Sequence, residues 1–207
     1  MPTPPPPPPP TAGQPAPEIT VKPDAKPIYT ETGLASWYGT PYANRRSSNG
    51  EIYDQDAMTA AHRTLPFNSI VRVTDLKTGQ SVLVRITDRG PFVEGRVLDL
   101  SAGAAKALGT YRRGTVMVKL EVMEAPAPIE RGGRWCVQIG AFEDVENAAR
   151  LKEKLQRRYK SAKVLEFSGP TGEWVRVRVK DDDKDRAQEV ARDNKTPEGA
   201  IFLVRLD

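Results

Sequence analysis

Apolar and polar positions alternate along Ile70-Val-Arg-Val-Thr-Asp75 and again along Ser81-Val-Leu-Val-Arg-Ile-Thr87. The short connection Leu76-Lys-Thr-Gly-Gln80 joins the two runs, which is the pattern of a β-hairpin. Gly114-Thr-Val-Met-Val-Lys-Leu-Glu-Val122 alternates in the same way, and Gly33-Leu-Ala-Ser-Trp-Tyr-Gly39 reads as a short strand ended by glycine. Between them, only Asp99-Leu-Ser-Ala-Gly-Ala-Ala-Lys-Ala-Leu108 has a helical habit. Asp99 or Ser101 would cap its first turn and Gly109 would end it. Short strands with one brief helix predict a small closed barrel, an arrangement that leaves no sheet edge exposed.

After Ala125-Pro-Ala-Pro128 and Arg131-Gly-Gly133 the rhythm changes. Trp135, Val137 and Ile139 alternate with Cys136, Gln138 and Gly140, the pattern of a half-buried strand. Glu143 to Lys160 predicts a helix with Ala148, Leu151, Leu155 and Tyr159 on one face. Ala162 to Phe167 and Trp174 to Lys180 read as strands, and Ile201 to Leu206 as a last one. Asp183 to Asn194 reads as a second amphipathic helix through Ala187, Val190 and Ala191. The order β-α-β-β-α-β is that of a ferredoxin-like domain. The predicted fold class is mainly β plus α+β: a barrel over residues 33–124, a linker over 125–133 and a ferredoxin-like βαββαβ domain over 134–207. Fold alone does not give function.

Composition adds a third region. Of the 19 prolines in 207 residues, 12 lie in the first 27, with an unbroken run from Pro4 to Pro10. Residues 1–32 therefore predict a disordered proline-rich linker, semi-rigid along the run at ~3.1 Å per residue. The same run is a candidate ligand for a proline-reading domain. Met1-Pro-Thr lacks the charged, apolar and cleavage regions of a signal peptide, so the natural leader is expected to lie outside this sequence. No apolar run exceeds Ala200 to Val204, far short of the ~18 residues of a membrane-spanning helix. One cysteine, Cys136, and one histidine, His62, exclude an intrachain disulfide, a cysteine zinc cluster and a multi-histidine metal centre. No metal and no cofactor is expected. The net charge of +4 is spread as −1, +3 and +2 over residues 1–32, 33–124 and 125–207, which argues against a nucleic-acid binder.

Polar groups suited to catalysis gather in Ser48-Asn-Gly-Glu51, Thr59-Ala-Ala-His62 and Thr87-Asp-Arg-Gly-Pro91. Singly, each has a plainer explanation. Glu51 follows an Asn-Gly turn, His62 ends an apolar stretch, and Asp88 would pair with Arg89 or brace a turn. Together, two carboxylates and an imidazole at the strand ends of a small barrel match a general acid–base site. A carboxylic acid held against apolar strands has its pKa raised and can protonate a leaving oxygen. The imidazole would orient or charge-balance that acid. Asp99 is the remaining carboxylate of interest, with helix capping as its plainer role.

Gly33 to Gly39, Ser48-Asn-Gly-Glu-Ile-Tyr-Asp54, Met58-Thr-Ala-Ala-His-Arg-Thr-Leu-Pro-Phe67, Thr87-Asp-Arg-Gly-Pro-Phe92 and Val97-Leu-Asp-Leu-Ser101 resemble the rare lipoprotein A family in order and spacing. The match runs over about residues 33–123. The resemblance implies a double-psi β-barrel, the fold shared with expansins and with membrane-bound lytic transglycosylase A. It puts the family's active-site glutamate, histidine and aspartate on Glu51, His62 and Asp88. In related barrel enzymes the aspartate of a segment like Leu98-Asp-Leu-Ser101 is the acid, which keeps Asp99 as a reserve candidate. Asn68 stands where the family commonly has glycine, and only a local turn effect is expected because Asn tolerates left-handed backbone.

Residues 134–207 resemble a SPOR domain through Trp135-Cys-Val-Gln-Ile-Gly-Ala-Phe142, Asn147-Ala148 and Trp174-Val-Arg-Val-Arg-Val179. Lys180 and three aspartates replace the Gly-Pro-Phe with which that family often continues. SPOR domains bind peptidoglycan glycan strands denuded of their stem peptides. Alternation would turn Val137, Ile139, Val175, Val177 and Val179 towards the helices and leave Gln138, Trp174, Arg176 and Arg178 on an open sheet face. There a ring stacks on a sugar, and amide and guanidinium groups bond hydroxyls and carboxylates. The plainer reading of that face is a polar surface kept soluble by arginines.

The two resemblances together imply an endolytic, metal-independent lytic transglycosylase acting on denuded strands in cell separation. It would cleave the bond between N-acetylmuramic acid and N-acetylglucosamine to 1,6-anhydro ends, with Asp88 as the acid. The alternative is a non-catalytic, expansin-like glycan binder. RNA binding by the ferredoxin-like sheet lacks an aromatic RNP-type run. The substrate implies a periplasmic or envelope location. An outer-membrane lipid anchor with septal enrichment is implied by the resemblance alone, since no lipidation cysteine lies near Met1.

Overall fold

The computed structural model describes residues 19–22, 24–39, 45–169, 172–195 and 199–207. The expected proline spacer, Pro4 to Pro10, lies outside the described residues. The first domain is a closed six-stranded barrel of β1 (Tyr29–Tyr38), β2 (Thr59–Ala61), β3 (Ile70–Asp75), β4 (Ser81–Asp88), β5 (Arg96–Ser101) and β6 (Val116–Glu124). The strands pair in the order β1-β5-β2-β4-β3-β6, and β6 closes back onto β1. β3 and β4 make the hairpin that alternation predicts, with Val71 opposite Val84. β1 runs parallel to β5, and β2 parallel to β4, so two crossovers interlock the barrel. The inward positions of the alternating strands, among them Val71, Val84, Ile86, Leu98, Leu100 and Leu120, form one fully buried core.

Two expectations for this domain are corrected. β1 begins at Tyr29 rather than Gly33, so residues 29–32 belong to the barrel and not to the linker. They pair with β6 from Tyr29 opposite Val122 to Thr32 opposite Lys119. Tyr29 and Glu31 turn inward while Thr30 and Thr32 face water, a strand too poor in large apolar residues to be seen by counting them. The helix α1 spans only Ala102–Ala107. Ser101 is its cap, with Oγ accepting from Ala104 N at 3.1 Å, and Asp99 lies in β5 instead.

One charged group is fully buried in the barrel wall. Asp75 accepts from Lys77 N at 2.9 Å and pairs with the Arg113 guanidinium. Such a carboxylate is tolerable only with its partner in place, because an unpaired buried charge costs several kcal/mol.

The second domain follows its predicted order closely. β7 (Trp135–Phe142), β8 (Lys163–Gly169), β9 (Gly172–Arg178) and β10 (Ala200–Arg205) form an antiparallel sheet in the order β10-β7-β9-β8. The helices α2 (Val145–Arg158) and α3 (Lys184–Asp193) lie on one face, burying Val137, Ile139, Val175 and Val177 against Ala148, Leu155 and Ala187. Asp144 and Asp183 cap them by accepting from Glu146 N and Arg186 N. β7 departs from the half-buried expectation, since Cys136 and Gln138 are as buried as Val137. The cause is the barrel, which packs on the sheet face away from the helices.

Candidate active site

Strand register brings the two central carboxylates together. Ala61 of β2 pairs with Asp88 of β4 on one side and with Asp99 of β5 on the other. Asp99 in turn pairs with Ser36 of β1. Laterally paired residues share a face, so Asp88, Ala61, Asp99 and Ser36 form one row across four strands. Two strand spacings separate the aspartate main chains, roughly 9–10 Å. The neighbouring positions Ile86, Ala60 and Leu100 fill the core, which fixes the row as the outer face.

A β-bulge is what turns Asp88 outward. One step on β2, Ala60 to Ala61, is matched by two on β4, Ile86 to Asp88. Were Thr87 paired in plain register, strict alternation would put Asp88 on the core side with Ile86; the bulge absorbs Thr87 as an extra residue, and bulges re-aim side chains in this way. The loop before β2 then holds the carboxylate. Asp88 Oδ1 accepts from Ser48 Oγ at 2.5 Å, Ser48 N at 2.9 Å and its neighbour Arg89 N at 2.8 Å. Among the described residues, none donates to Oδ2.

Asp99 has a different environment. Its side chain is 14% exposed and its Oδ2 accepts from Arg96 Nη2 at 3.2 Å, while Oδ1 is buried with no hydrogen-bond partner among the described residues. Burial pushes its pKa up to about 6, against the opposing pull of Arg96 and Arg63. Tyr38, two residues beyond Ser36 on the same side of β1, is near enough to feel the charge of both aspartates. Burial first, and then Asp88, Tyr53 and Asp99, raise the Tyr38 hydroxyl above its ordinary range, so it stays a protonated donor. Its ring stacks on Tyr53 at 4.6 Å.

His62 and Glu51 are both tied to other groups. His62 is buried, and its Nδ1 accepts from Thr64 N at 3.1 Å and Leu65 N at 3.0 Å. The ring proton therefore sits on Nε2, which donates to Glu31 Oε2 at 3.1 Å. Burial lowers the His62 pKa, in keeping with a neutral ring. The expectation that the imidazole orients or charge-balances Asp88 is corrected: the link is through the main chain, His62 N donating to Asp88 O at 3.1 Å. Glu51 is exposed and its two oxygens accept from Arg85 Nη1 at 2.9 Å and Nη2 at 2.8 Å. That fork holds its carboxyl below the usual range. Arg85 also donates to Asn68 Oδ1 at 2.8 Å, and Asn68 sits at φ +65°, the left-handed conformation expected of it.

The four polar residues of the second domain share one sheet face, but that face is not open. Gln138 and Trp174 are buried, Trp174 with its ring 5.4 Å from Phe92 of the barrel. Arg176 Nη2 donates to Gln138 Oε1 at 2.8 Å. Arg178 donates to Asp182 at 2.9 and 2.6 Å, one of the three aspartates that replace the commoner Gly-Pro-Phe. Sequence reasoning missed Tyr38, Ser48 and Glu31 as parts of the site. Tyr38 and Ser48 lie inside quoted motifs, whereas Glu31 lies in the segment read as linker and carried no signal.

Comparison with known proteins agrees with the two-part reading. Residues 30–120 match the lytic transglycolase family model of the double-psi β-barrel, and residues 132–195 match the SPOR domain. The chain is 58% identical over 92 residues to "Probable endolytic peptidoglycan transglycosylase RlpA" of Synechocystis sp., covering 44% of this chain and 29% of that one. It is 36% identical over 162 residues to "Endolytic peptidoglycan transglycosylase RlpA" of Vibrio cholerae, covering 75% of this chain and 62% of that one. The chain thus spans less than two thirds of the length of either relative. A solved expansin from Clavibacter michiganensis superposes with a TM-score of 0.39 at 19% identity, over 73% of this chain and 81% of that one.

Proposed function

We propose, on the premise that this is an RlpA-like protein with a SPOR domain, that it cleaves peptidoglycan glycan strands by lytic transglycosylation. The observation that carries the reading is the row of Asp88 and Asp99 on the outer face of the barrel, with Asp99 raised to about 6 by burial. A carboxyl group with that pKa still bears its proton in a useful fraction of molecules near neutrality. Asp99 takes the role of acid that the sequence assigned to Asp88. Its proton passes to the glycosidic oxygen as the bond from the muramoyl anomeric carbon breaks. The muramoyl 6-hydroxyl oxygen then attacks that carbon, and its proton passes to Asp88. The ring closes to the 1,6-anhydro product without water, and both carboxyls return to their starting states by exchange with solvent.

Intramolecular attack has a large orientational advantage, so no separate nucleophile is required. Ser48 and Arg89 N fix one Asp88 oxygen and leave the other to accept the proton. The Tyr38 hydroxyl, kept protonated, lies within electrostatic reach of both carboxyls. Glu51, kept ionised by Arg85, is the alternative proton acceptor. The SPOR domain selects denuded strands, and the proline-rich segment spaces the enzyme from an outer-membrane lipid anchor at division sites.

Product analysis tests this. Purified protein is incubated with peptide-free glycan, and anhydro-ended fragments are sought by mass spectrometry. Wild type is expected to yield them, and Asp99→Asn and Asp88→Asn to lose at least ~100-fold in rate, the usual contribution of a positioned acid or base. Full activity in Asp99→Asn returns the acid to Asp88, and full activity in Glu51→Gln removes Glu51 from the reaction. Binding without any anhydro product sinks the enzyme reading and leaves the expansin-like binder.

A further inference from the structure

The sheet of the SPOR domain has one face covered by its helices, and the barrel takes the other. Trp174, Gln138, Cys136 and Phe202 are buried there. Phe92 of the barrel sets its ring 5.4 Å from Trp174 and 5.7 Å from Phe202, and the Arg63 guanidinium lies 5.4 Å over the Phe202 ring. One main-chain bond and one from a barrel side chain complete the contact. Arg205 N donates to Arg63 O at 3.0 Å, and Arg89 Nη2 reaches Asp207 O at 2.7 Å.

Trp174 and Gln138 are the groups best suited by chemistry and position to hold a sugar, and both lie under the barrel. The barrel residues that cover them come from the segments carrying His62 and Asp88. We propose that this is a closed state in which the barrel occupies the glycan face of the SPOR sheet, so that glycan strand and barrel compete for one surface and strand binding parts the domains. The inference rests on the reading of the SPOR domain as a glycan binder.

Two features make the contact separable. Each domain has its own core, around Ile86 and Leu98 in the barrel and around Val137 and Val177 in the SPOR domain, so parting them breaks neither. Phe92 is only partly buried by the contact and is, among the described residues, the one apolar barrel side chain joined to the Cys136, Trp174 and Phe202 cluster, with Arg63 over the Phe202 ring beside it. A face occupied most of the time binds its ligand weakly, since the apparent dissociation constant is the intrinsic one divided by the open fraction.

Phe92→Glu tests the proposal from the barrel side, leaving every SPOR residue unchanged; Phe92→Ala is the milder second variant. Cys136, the one cysteine of the chain, lies at the contact and reports opening through its labelling by a thiol reagent. Circular dichroism first establishes that the variants fold. Both are then expected to label faster than wild type and to bind peptide-free glycan more tightly, about tenfold if one molecule in ten is open in wild type. Added glycan should speed the labelling of wild type or, where it covers Cys136 itself, slow that of Phe92→Glu. Unchanged labelling in both folded variants overturns the closed state. Faster labelling with unchanged glycan affinity overturns the competition. Failure of wild type and variants alike to bind glycan overturns the SPOR reading and the competition with it, while the labelling rates still report whether the contact exists.

Discussion

Asp99→Asn should make the barrel more stable at pH 7.5, and the gain should fade as the pH falls. The substitution keeps the shape of the side chain and removes its ionisation. In the fold, burial raises the Asp99 pKa from 3.8 to about 6. At 1.36 kcal/mol per pH unit, the ionised form is disfavoured by about 3 kcal/mol relative to the unfolded chain. For a carboxyl whose folded pKa is raised, the native state holds the extra proton between about pH 4 and 6, so stability falls as pH climbs through that window and levels off above it. The loss is nearly complete at pH 7.5 and only about 0.5 kcal/mol at pH 4. The stability of Asp99→Asn minus that of wild type should therefore grow by about 2.5 kcal/mol from pH 4 to 7.5.

Urea unfolding of both proteins at the two pH values measures this quantity. Titration of His62 and of the other carboxyls is common to both chains and cancels in the comparison, as does any pH-independent packing difference between Asp and Asn. An equal stability difference at the two pH values would refute the buried, proton-holding Asp99, and with it the reason for preferring Asp99 over Asp88 as the acid. The same group sets a kinetic expectation: if Asp99 is the acid, kcat/KM falls tenfold per pH unit above about 6.

Three further outcomes follow from the barrel's polar contacts. Ser48→Ala removes the 2.5 Å bond to Asp88 and should lower kcat roughly 10- to 100-fold with KM little changed, since a hydrogen bond to a charged group contributes ~1.5–3 kcal/mol; steady-state kinetics on peptide-free glycan reads it. Arg113→Ala strands the buried Asp75 carboxylate and should cost about 3 kcal/mol in urea unfolding, while adding Asp75→Asn should recover much of that loss. His62 has a lowered pKa, so the unfolded chain takes up its proton first and stability should drop as pH falls below about 6.5. His62→Gln should abolish that acid-side dependence, and a wild-type curve matched by the variant would show that the neutral ring contributes nothing.

Much of the fold was legible because alternation and punctuation are local. Val71, Val73, Val84 and Ile86 sit inside the barrel as their spacing requires, and Asp144 and Asp183 cap helices placed by periodicity. What escaped depends on distant partners. Residues 29–32 pair along β6, yet their own run of Tyr, Thr, Glu and Thr offers no alternation of large apolar side chains to announce a strand. Cys136 and Gln138 are buried by a second domain rather than by anything in β7. No pattern within one strand encodes a surface that a separate domain covers.

The site follows the same logic with a sharper consequence. Glu51, His62 and Asp88 were grouped because their residue types suit acid–base chemistry, yet side-chain type does not reveal which hydrogen bonds each group has already made. Arg85 neutralises Glu51, and two main-chain N–H groups with Glu31 occupy both nitrogens of His62. Asp99, whose place before Ser101 suggested a cap, is instead the carboxyl with a raised pKa and one buried oxygen unbonded among the described residues. It shares a face with Asp88 because the bulge in β4 takes Thr87 out of register, which reverses the facing that strict alternation would give the next side chain. Pairing Thr87 with Ala61 in plain register would turn Asp88 into the core beside Ile86, so the pair of carboxyls rests on the bulge that absorbs Thr87.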